Sequence, residues 1–516
     1  MLTSRRGGLL GAICVAAMAA CAAPAFAETL ADAIALAYET NPTIQAQRAT
    51  QRALDENYVQ ARTGWRPTVS IGVQDAFLES RTPRAGRGVI DTNGDGVPDA
   101  VSSGGVNESY TGNAFVTLSQ PIYTGGRVGA AVSASEADIL TGRENLRRVE
   151  QQVLYSVVQG YAAVRRDQEA VRIRQDDVGV LQRQLDESNA RFDVGEITRT
   201  DVAQSQARLA NAVSLLQSAQ AQLATSRGSY AAVVGQNPGE LAPEPSLAVL
   251  LPSDADRAFD VAEQNSPQIR AAEYSERASR ARVAAARAER MPQVSINADY
   301  GFSGVGRSID TDKWSQNIRA RAGVSMPLFS GGLTSSRIRQ QVERNNADRI
   351  NIEGNRRQVL QALTQYWNQM LAARANIAST NEQVRAATIA AEGTRQEQQV
   401  GLRTTLDVLN AEQELRGAQL SQISARYDEY TAAAAVLVAM GRLEARNLIP
   451  TAPQYDPKTN FRKLRVTWGW VPWEEPIGLA DSVLAGKVKE MPLEPPVNTA
   501  PLPQPATETK DAPPAK

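Results

Sequence analysis

The chain has 516 residues, 42% hydrophobic, 22% charged and 5% aromatic. That balance suits a folded protein and is too polar for a bundle of membrane-spanning helices. There is no histidine, only two cysteines (Cys14 and Cys21), and a formal net charge of −1. Histidine acid–base catalysis is therefore excluded, and nucleic-acid binding has little electrostatic support.

Arg5 and Arg6 precede an apolar run from Leu9 to Ala23, and Ala25-Phe26-Ala27 follows as a small-x-small site. The pattern predicts a secretory signal peptide over residues 1–27. The alternative is a lipoprotein box, Met18-Ala19-Ala20-Cys21, with lipid anchoring at Cys21. Cleavage after Ala27 would remove both cysteines, and with them disulfides, thiol nucleophiles and the usual zinc sites. It would leave 53 basic and 56 acidic residues, a net charge of −3. No later apolar run reaches the ~18 residues of a spanning helix. An exported protein of this kind can enter a membrane only as a β-barrel.

Self-comparison reveals two tandem copies. Asn41-Pro42-Thr43-Ile44 matches Ser266-Pro267-Gln268-Ile269, and Pro67-Thr68-Val69-Ser70-Ile71 matches Pro292-Gln293-Val294-Ser295-Ile296, both at an offset of 225. Pro121-Ile122-Tyr123-Thr124-Gly125-Gly126 matches Pro327-Leu328-Phe329-Ser330-Gly331-Gly332 at an offset of 206. Val194-Gly195-Glu196-Ile197-Thr198-Arg199-Thr200-Asp201-Val202 matches Val400-Gly401-Leu402-Arg403-Thr404-Thr405-Leu406-Asp407-Val408 at the same offset. The first copy (28–240) therefore carries 19 extra residues between its strands, relative to the second (241–446). A Pro-rich extension, 447–516, follows, and its last part reads as disordered.

Each copy reads as helix, strand, loop, strand, Gly-Gly, long helix, Val-Gly-x-x-Thr turn and long helix. Alternation predicts strands at about 67–78, 112–123, 292–303 and 316–329, each with one apolar and one polar face. A soluble half-buried sheet is the alternative. Arg319 and Arg321 alternate with the apolar set, so they are expected to line a barrel lumen, or else to snorkel at a membrane edge. Val202, Leu209, Val213, Leu216 and Leu223 suggest a coiled-coil seam interrupted by Gln206 and Gln220, and Val178, Leu181 and Leu185 extend it before the turn. The alternative is an ordinary amphipathic helix on a globular core. Both copies have 69 residues from the Gly-Gly exit to the turn glycine (Gly126 to Gly195, Gly332 to Gly401). If helical, that is ~100 Å. Four strands cannot close a barrel, and an open edge cannot face lipid, so several chains must share one. A cyclic trimer would supply twelve strands.

These paired motifs resemble the TolC family of outer-membrane efflux and type I secretion proteins, over roughly residues 28 to 446. The resemblance implies a mainly α fold with membrane β: a homotrimer with a 12-stranded outer-membrane β-barrel continued by a periplasmic α-helical barrel. It implies a Gram-negative outer membrane and docking to a periplasmic adaptor and an inner-membrane ABC or RND transporter. It also implies that the turns form the periplasmic entrance. Arg403 falls where the family places a linking arginine, and Thr200 and Asp201 where its partners lie. Asp407 and Asn410 fall at two constriction positions, the second lacking the family's carboxylate. Gln398 stands where the reference member has a tyrosine. Helix N-capping is the alternative role of Asp201 and Asp407. Val194, Gly195 and Thr198, with Val400, Gly401 and Thr404, form the turns expected to meet the adaptor.

The extra loop residues include Asp91, Asn93, Asp95 and Asp99, spaced like a calcium loop around Gly96, but Ser102 replaces the usual acid at position 12. A polar turn cluster is the alternative, and no other cofactor is expected. No phosphate-binding loop or nucleophile elbow is present, so the chain is not expected to be an enzyme. The leading expectation is an exit duct for secreted protein. A small-molecule efflux duct and a trimeric stalk or adhesin are the alternatives.

Overall fold

The computed structural model describes residues 27–82, 89–91, 94–97, 100–101, 105–305, 312, 314–450, 453–464 and 469–484. The expected leader up to Phe26, Asn93, Asp99 and the tail expected to be disordered lie outside the described residues.

The first copy runs α1 (Leu30–Thr40), α2 (Pro42–Arg62), β1 (Thr68–Thr82), β2 (Gly105–Tyr123), α3 (Arg127–Asp193) and α4 (Arg199–Val234). The second runs α5 (Ala255–Asn265), α6 (Pro267–Ala288), β3 (Gln293–Val305), β4 (Trp314–Ser325), α7 (Leu333–Gln399) and α8 (Thr405–Ala439). Two later helices, α9 (Lys458–Leu464) and α10 (Glu474–Leu484), belong to the extension. Residues up to Asp55, Asp138–Tyr274 and Ile352–Arg462 make one compact unit; Glu56–Ala137, Ser275–Asn351 and the chain from Lys463 make the other.

The second unit holds a four-stranded antiparallel sheet in the order β1-β2-β3-β4. Directly opposed residues share a face, so register sorts the side chains. One row is Ile71, Val116, Tyr300 and Ile318, and the row beside it is Val69, Leu118, Ala298 and Ala320. The opposite face carries Ser70, Thr117, Asp299 and Arg319. Ile71 and Ile318 are 79% and 75% exposed, so the chain leaves this apolar face uncovered. Among the described residues β1 and β4 each pair on one side only.

The strand expected at 316–329 stops at Ser325. β2 continues to Tyr123 because β3 pairs with it across a register shift at Pro121/Tyr123. β4 lies at an edge, and its pairing with β3 ends where Gln293 meets Ser325. Among the described residues Met326–Phe329 has no partner strand.

The Gly-Gly exits are tight turns. Gly125 and Gly126 have φ of +68° and +80°, Gly331 and Gly332 +60° and +85°. A Cβ on Gly125 would also fall 2.4 Å from Met291 Cβ, so glycine is required there both conformationally and sterically. At the first exit, buried Asp481 of α10 accepts from the Thr124 amide (2.7 Å), the Thr124 hydroxyl (2.8 Å) and the Gly126 amide (3.2 Å).

In the first unit the main apolar core gathers Ile34, Ile44, Leu154, Tyr161, Tyr230, Leu363, Met370, Leu437 and Met440. Each fully buried large side chain contributes ~1.5–3 kcal/mol. Along α4 a run of buried or half-buried positions passes through Val202, Ser205, Leu209, Ala212, Leu216, Ala219, Leu223, Ser226 and Tyr230. These steps alternate three and four, the coiled-coil period. The seam is therefore regular, and the expected interruption at Gln206 and Gln220 is corrected. Both glutamines and Val213 are exposed, and small residues, Ser205, Ala212, Ala219 and Ser226, take the seam instead. Along α7 the same alternation runs through Leu363, Tyr366, Met370, Ala373, Ile377, Thr380, Val384, Ala387 and Ala391.

Candidate functional site

The Val-Gly-x-x-Thr-x-x-Asp motif is a helix stop joined to a helix start. The Gly195 amide donates to the Phe192 carbonyl (2.8 Å) and the Glu196 amide to the Arg191 carbonyl (2.9 Å). Gly401 donates to Gln398 (2.9 Å) and Leu402 to Glu397 (2.8 Å). This is the Schellman pattern, and it places the glycine in the left-handed region, where Gly195 has φ +78° and Gly401 +80°. Three residues later a capping box opens the next helix. The Thr198 amide and hydroxyl donate to Asp201 Oδ2 at 3.0 and 2.8 Å, and the Asp201 amide returns to Thr198 Oγ1. The Thr404–Asp407 pair repeats this with the same distances, 3.0 and 2.8 Å.

Thr198 and Thr404 are thus the N-caps, and Asp201 and Asp407 are the N3 carboxylates that complete each box. The threonine hydroxyl, then the threonine amide, holds each carboxyl below its ordinary range. Arg403 donates to Glu397 across its own turn at 2.8 Å. In the first turn Arg191 pairs with Glu196 at 3.0 Å. Among the described residues no hydrogen bond or ion pair joins Arg403 to Thr200 or Asp201. Gln398 is buried and donates to Thr405 of its own hairpin at 3.4 Å. Val194, Val400 and Leu402 are 78%, 70% and 75% exposed, so the turn tips present apolar surface.

Asn410 accepts from Arg208 Nη2 at 3.1 Å, and Arg208 Nη1 also donates to Gln413 Oε1. This joins the first copy's α4 to the second copy's α8. Further from the turns, buried Glu412 accepts from Arg395 of α7 and from Arg416, one turn on along α8. Arg416 Nε lies 3.8 Å from Asp177 of α3 and Arg174 lies 3.9 Å from it. Burial pushes the Asp177 carboxyl up, and the two arginines oppose that shift. This network adjoins a groove of about 490 Å³ lined by Leu181, Gln184, Ala391, Arg395, Glu412 and Leu415, among others. The motif reading missed the network because none of its members lies in a repeated motif. A signal was present: Arg395 and Glu412 bear opposite charges on the two arms of one hairpin, so the turn brings them together.

On the polar face of the sheet, Arg319 stands opposite Asp299, and Asp299 accepts from Arg321 (3.1 Å) and from the Thr117 hydroxyl (2.9 Å). In the long loop, Asp91 accepts from the amides of Gly94 and Gly96, each at 2.7 Å, and Asp95 from the Val97 amide at 2.7 Å. Among the described residues no group of three or more acidic side chains is placed to hold a metal.

The family described as outer membrane efflux protein matches residues 33–236 and 258–442, one segment in each copy. The chain is 32% identical over 445 residues to the outer membrane efflux protein BepC of Brucella suis biovar 1, covering 86% of this chain and 92% of BepC. It is 26% identical over 324 residues to the alkaline protease secretion protein AprF of Pseudomonas aeruginosa, covering 60% of this chain and 66% of AprF. Its fold resembles the CmeC outer membrane channel of Campylobacter jejuni, with a TM-score of 0.68 at 14% identity over 84% of this chain and 89% of CmeC. With both copies matched and the sheet, exits and hairpins in place, the chain belongs to the outer membrane efflux protein family and is an outer-membrane channel protein of TolC type, not an enzyme.

Proposed function

We propose that three copies share one barrel, β1 of each protomer pairing with β4 of the next, and form the exit duct of a tripartite export system. The observation that carries this reading is the sheet itself. It has one uncovered apolar face, one polar face and two edges open to pairing. Such edges in lipid would leave backbone donors and acceptors unsatisfied, and closure removes them. Channels of this family are homotrimers that work with adaptor proteins and inner-membrane transporters. Under this reading Asp299, Arg319 and Arg321 line the lumen. The exposed apolar tips Val194, Val400 and Leu402 meet the adaptor. Arg403, Asp407 and Asn410 set the resting aperture.

The cargo we propose is secreted protein, a reading supported by the similarity to AprF, which is named for protease secretion. Small-molecule efflux is the second reading, favoured by the longer match to BepC, which is named for efflux. Deleting the gene and measuring both secreted protein and tolerance to membrane-permeant toxic compounds separates them. Loss of secretion with unchanged tolerance supports the first, and the reverse supports the second. Purified protein that runs as a monomer in mild detergent and carries no current in planar bilayers would sink the duct.

A further inference from the structure

The C-terminal helix α10 is inverted relative to an ordinary surface helix. Its two described inward carboxylates, Glu474 and Asp481, are fully buried. Glu474 holds Arg62 at 2.5 Å and Arg66 at 2.9 Å, and Asp481 caps the first Gly-Gly exit. Gly478 lies against the Trp65 indole, where an added Cβ would meet ring carbons at 3.3 Å. The outward side is mostly apolar: Leu479 is 66% exposed and Val483 75%, with Leu484 beside them at 68%, and Glu475 and Ser482 are its exposed polar residues. A solvated helix would place its charges outward and its leucines inward.

The site of attachment identifies what covers this face. Trp473 Nε1 donates to Gln120 Oε1 at 3.2 Å. Gln120 follows Val116 and Leu118 at two-residue steps along β2, before the register shift, so it lies on the sheet's apolar face. Trp473 therefore sits at the helix-side rim of that face, with Trp470 three residues before it, and both indoles are partly exposed. Tryptophans at the rim of an apolar band mark the membrane–water interface. A helix with an outward apolar side, fixed at that level, suits an in-plane seat there.

We propose that Trp470, Trp473 and the outward face of α10 form an interfacial anchor that seats in the periplasmic leaflet of the outer membrane, against phospholipid. The inference rests on the sheet's apolar face being the lipid face. It explains why the carboxylates turn inward: the clasp fixes the helix to the strand-to-helix junction, and the apolar side is left for lipid.

Four variants, each adding one cysteine to a full chain in which Cys14 and Cys21 are replaced by serine, test this: Leu479→Cys, Val483→Cys, Ile318→Cys on the sheet's apolar face and Arg199→Cys at a hairpin turn. Each site is exposed, so folding cost is small. Each carries a spin label in protein reconstituted into phospholipid nanodiscs. Collision with oxygen reports lipid and collision with a water-soluble nickel chelate reports water. The oxygen-to-nickel ratio is expected to be about fivefold higher at 479 and 483 than at 199, and highest at 318. A high ratio at 318 with water-like values at 479 and 483 overturns the anchor alone. So does exclusion of both reagents there, which would mean that protein, such as a neighbouring protomer, covers the helix. A water-like ratio at 318 overturns the barrel reading together with the anchor.

Discussion

Arg208 of α4 donates to the Asn410 carboxamide of α8 at 3.1 Å, joining the two copies a short way beyond their capped starts. The same guanidinium reaches Gln413, and a planar fork suits two acceptors at once. Exposed polar links of this kind contribute little, ~0–1 kcal/mol, which suits an entrance that must open. Arg208→Ala is expected to raise single-channel conductance in planar bilayers. Arg208→Lys keeps the charge but loses the fork, so its conductance should fall between the two. Wild-type conductance in both variants would remove this link from the resting aperture.

Arg403 was expected from the family resemblance to reach a neighbouring coil, yet within the chain it pairs with Glu397. The pair is exposed on both sides, so an intersubunit partner would have to compete with a local one. Arg403→Ser removes both partnerships and Glu397→Gln only the local one. If Arg403 serves the gate, the first raises conductance and the second leaves it near wild type. Equal increases in both would assign Arg403 to the shape of its own turn.

The capping boxes make the turns sensitive to threonine loss and to acid. Thr198→Ala is expected to cost ~1 kcal/mol, about fivefold in the opening of the first turn of α4. Hydrogen exchange of the Asp201 amide reads this directly. The Thr198 hydroxyl and amide lower the Asp201 carboxyl in the folded state. The stabilisation is therefore present above the unfolded carboxylate pKa and is lost as pH falls through the folded one. Acidification should loosen this turn in the wild type and change it little in Asp201→Asn.

The repeat, the strand alternation, the exits and the turns were legible because each is a local pattern printed twice. The Schellman stop needs a glycine and the capping box needs Thr and Asp at fixed spacing, so Gly195, Thr198 and Asp201 announce themselves. Seam positions were less legible. Val213 is apolar but exposed, whereas Ser205 and Ala212 are buried, because closely packed helices select small residues where polarity alone selects valine. The β4 end was missed because pairing, not propensity, decides it. The Arg395–Glu412 pair could be read from the hairpin, but Asp177 joined it only once three helices were assembled. Glu474 and Asp481 sit hundreds of residues from their partners Arg62 and Thr124, and no spacing rule reaches that far.

The Glu474 clasp yields a stability prediction. Its carboxylate is fully buried between Arg62 and Arg66, themselves almost buried. Removing one member of such a cluster leaves uncompensated buried charge and costs ~3–5 kcal/mol. Glu474→Ala should release α10 and expose Asp481 and Trp473 to limited proteolysis, while Glu475→Ala, on the exposed side, should not. Resistance in both would mean that the Asp481 cap alone holds the helix.

Glu150 of α3 supplies the pH dependence. Burial, only partly opposed by Arg48 and reinforced by Glu444, pushes its carboxyl up to about 7. The Arg48 guanidinium lies 3.7 Å away and stacks over the Tyr38 and Tyr455 rings, so its charge is shared rather than spent on Glu150 alone. A raised carboxyl binds its proton more tightly in the folded state. Stability from this group is therefore full below the ordinary value of 4.5, declines as pH rises toward 7, and is flat above it. The whole decline amounts to about 3 kcal/mol. Glu150→Gln mimics the protonated form and should remove this slope. Its absolute stability is a weaker readout, since Arg48 also loses a counter-charge. The measurement is denaturant unfolding of wild type and variant from about pH 5 to about pH 8, compared by slope. Parallel pH profiles would show that Glu150 is already ionised throughout and that solvent reaches it.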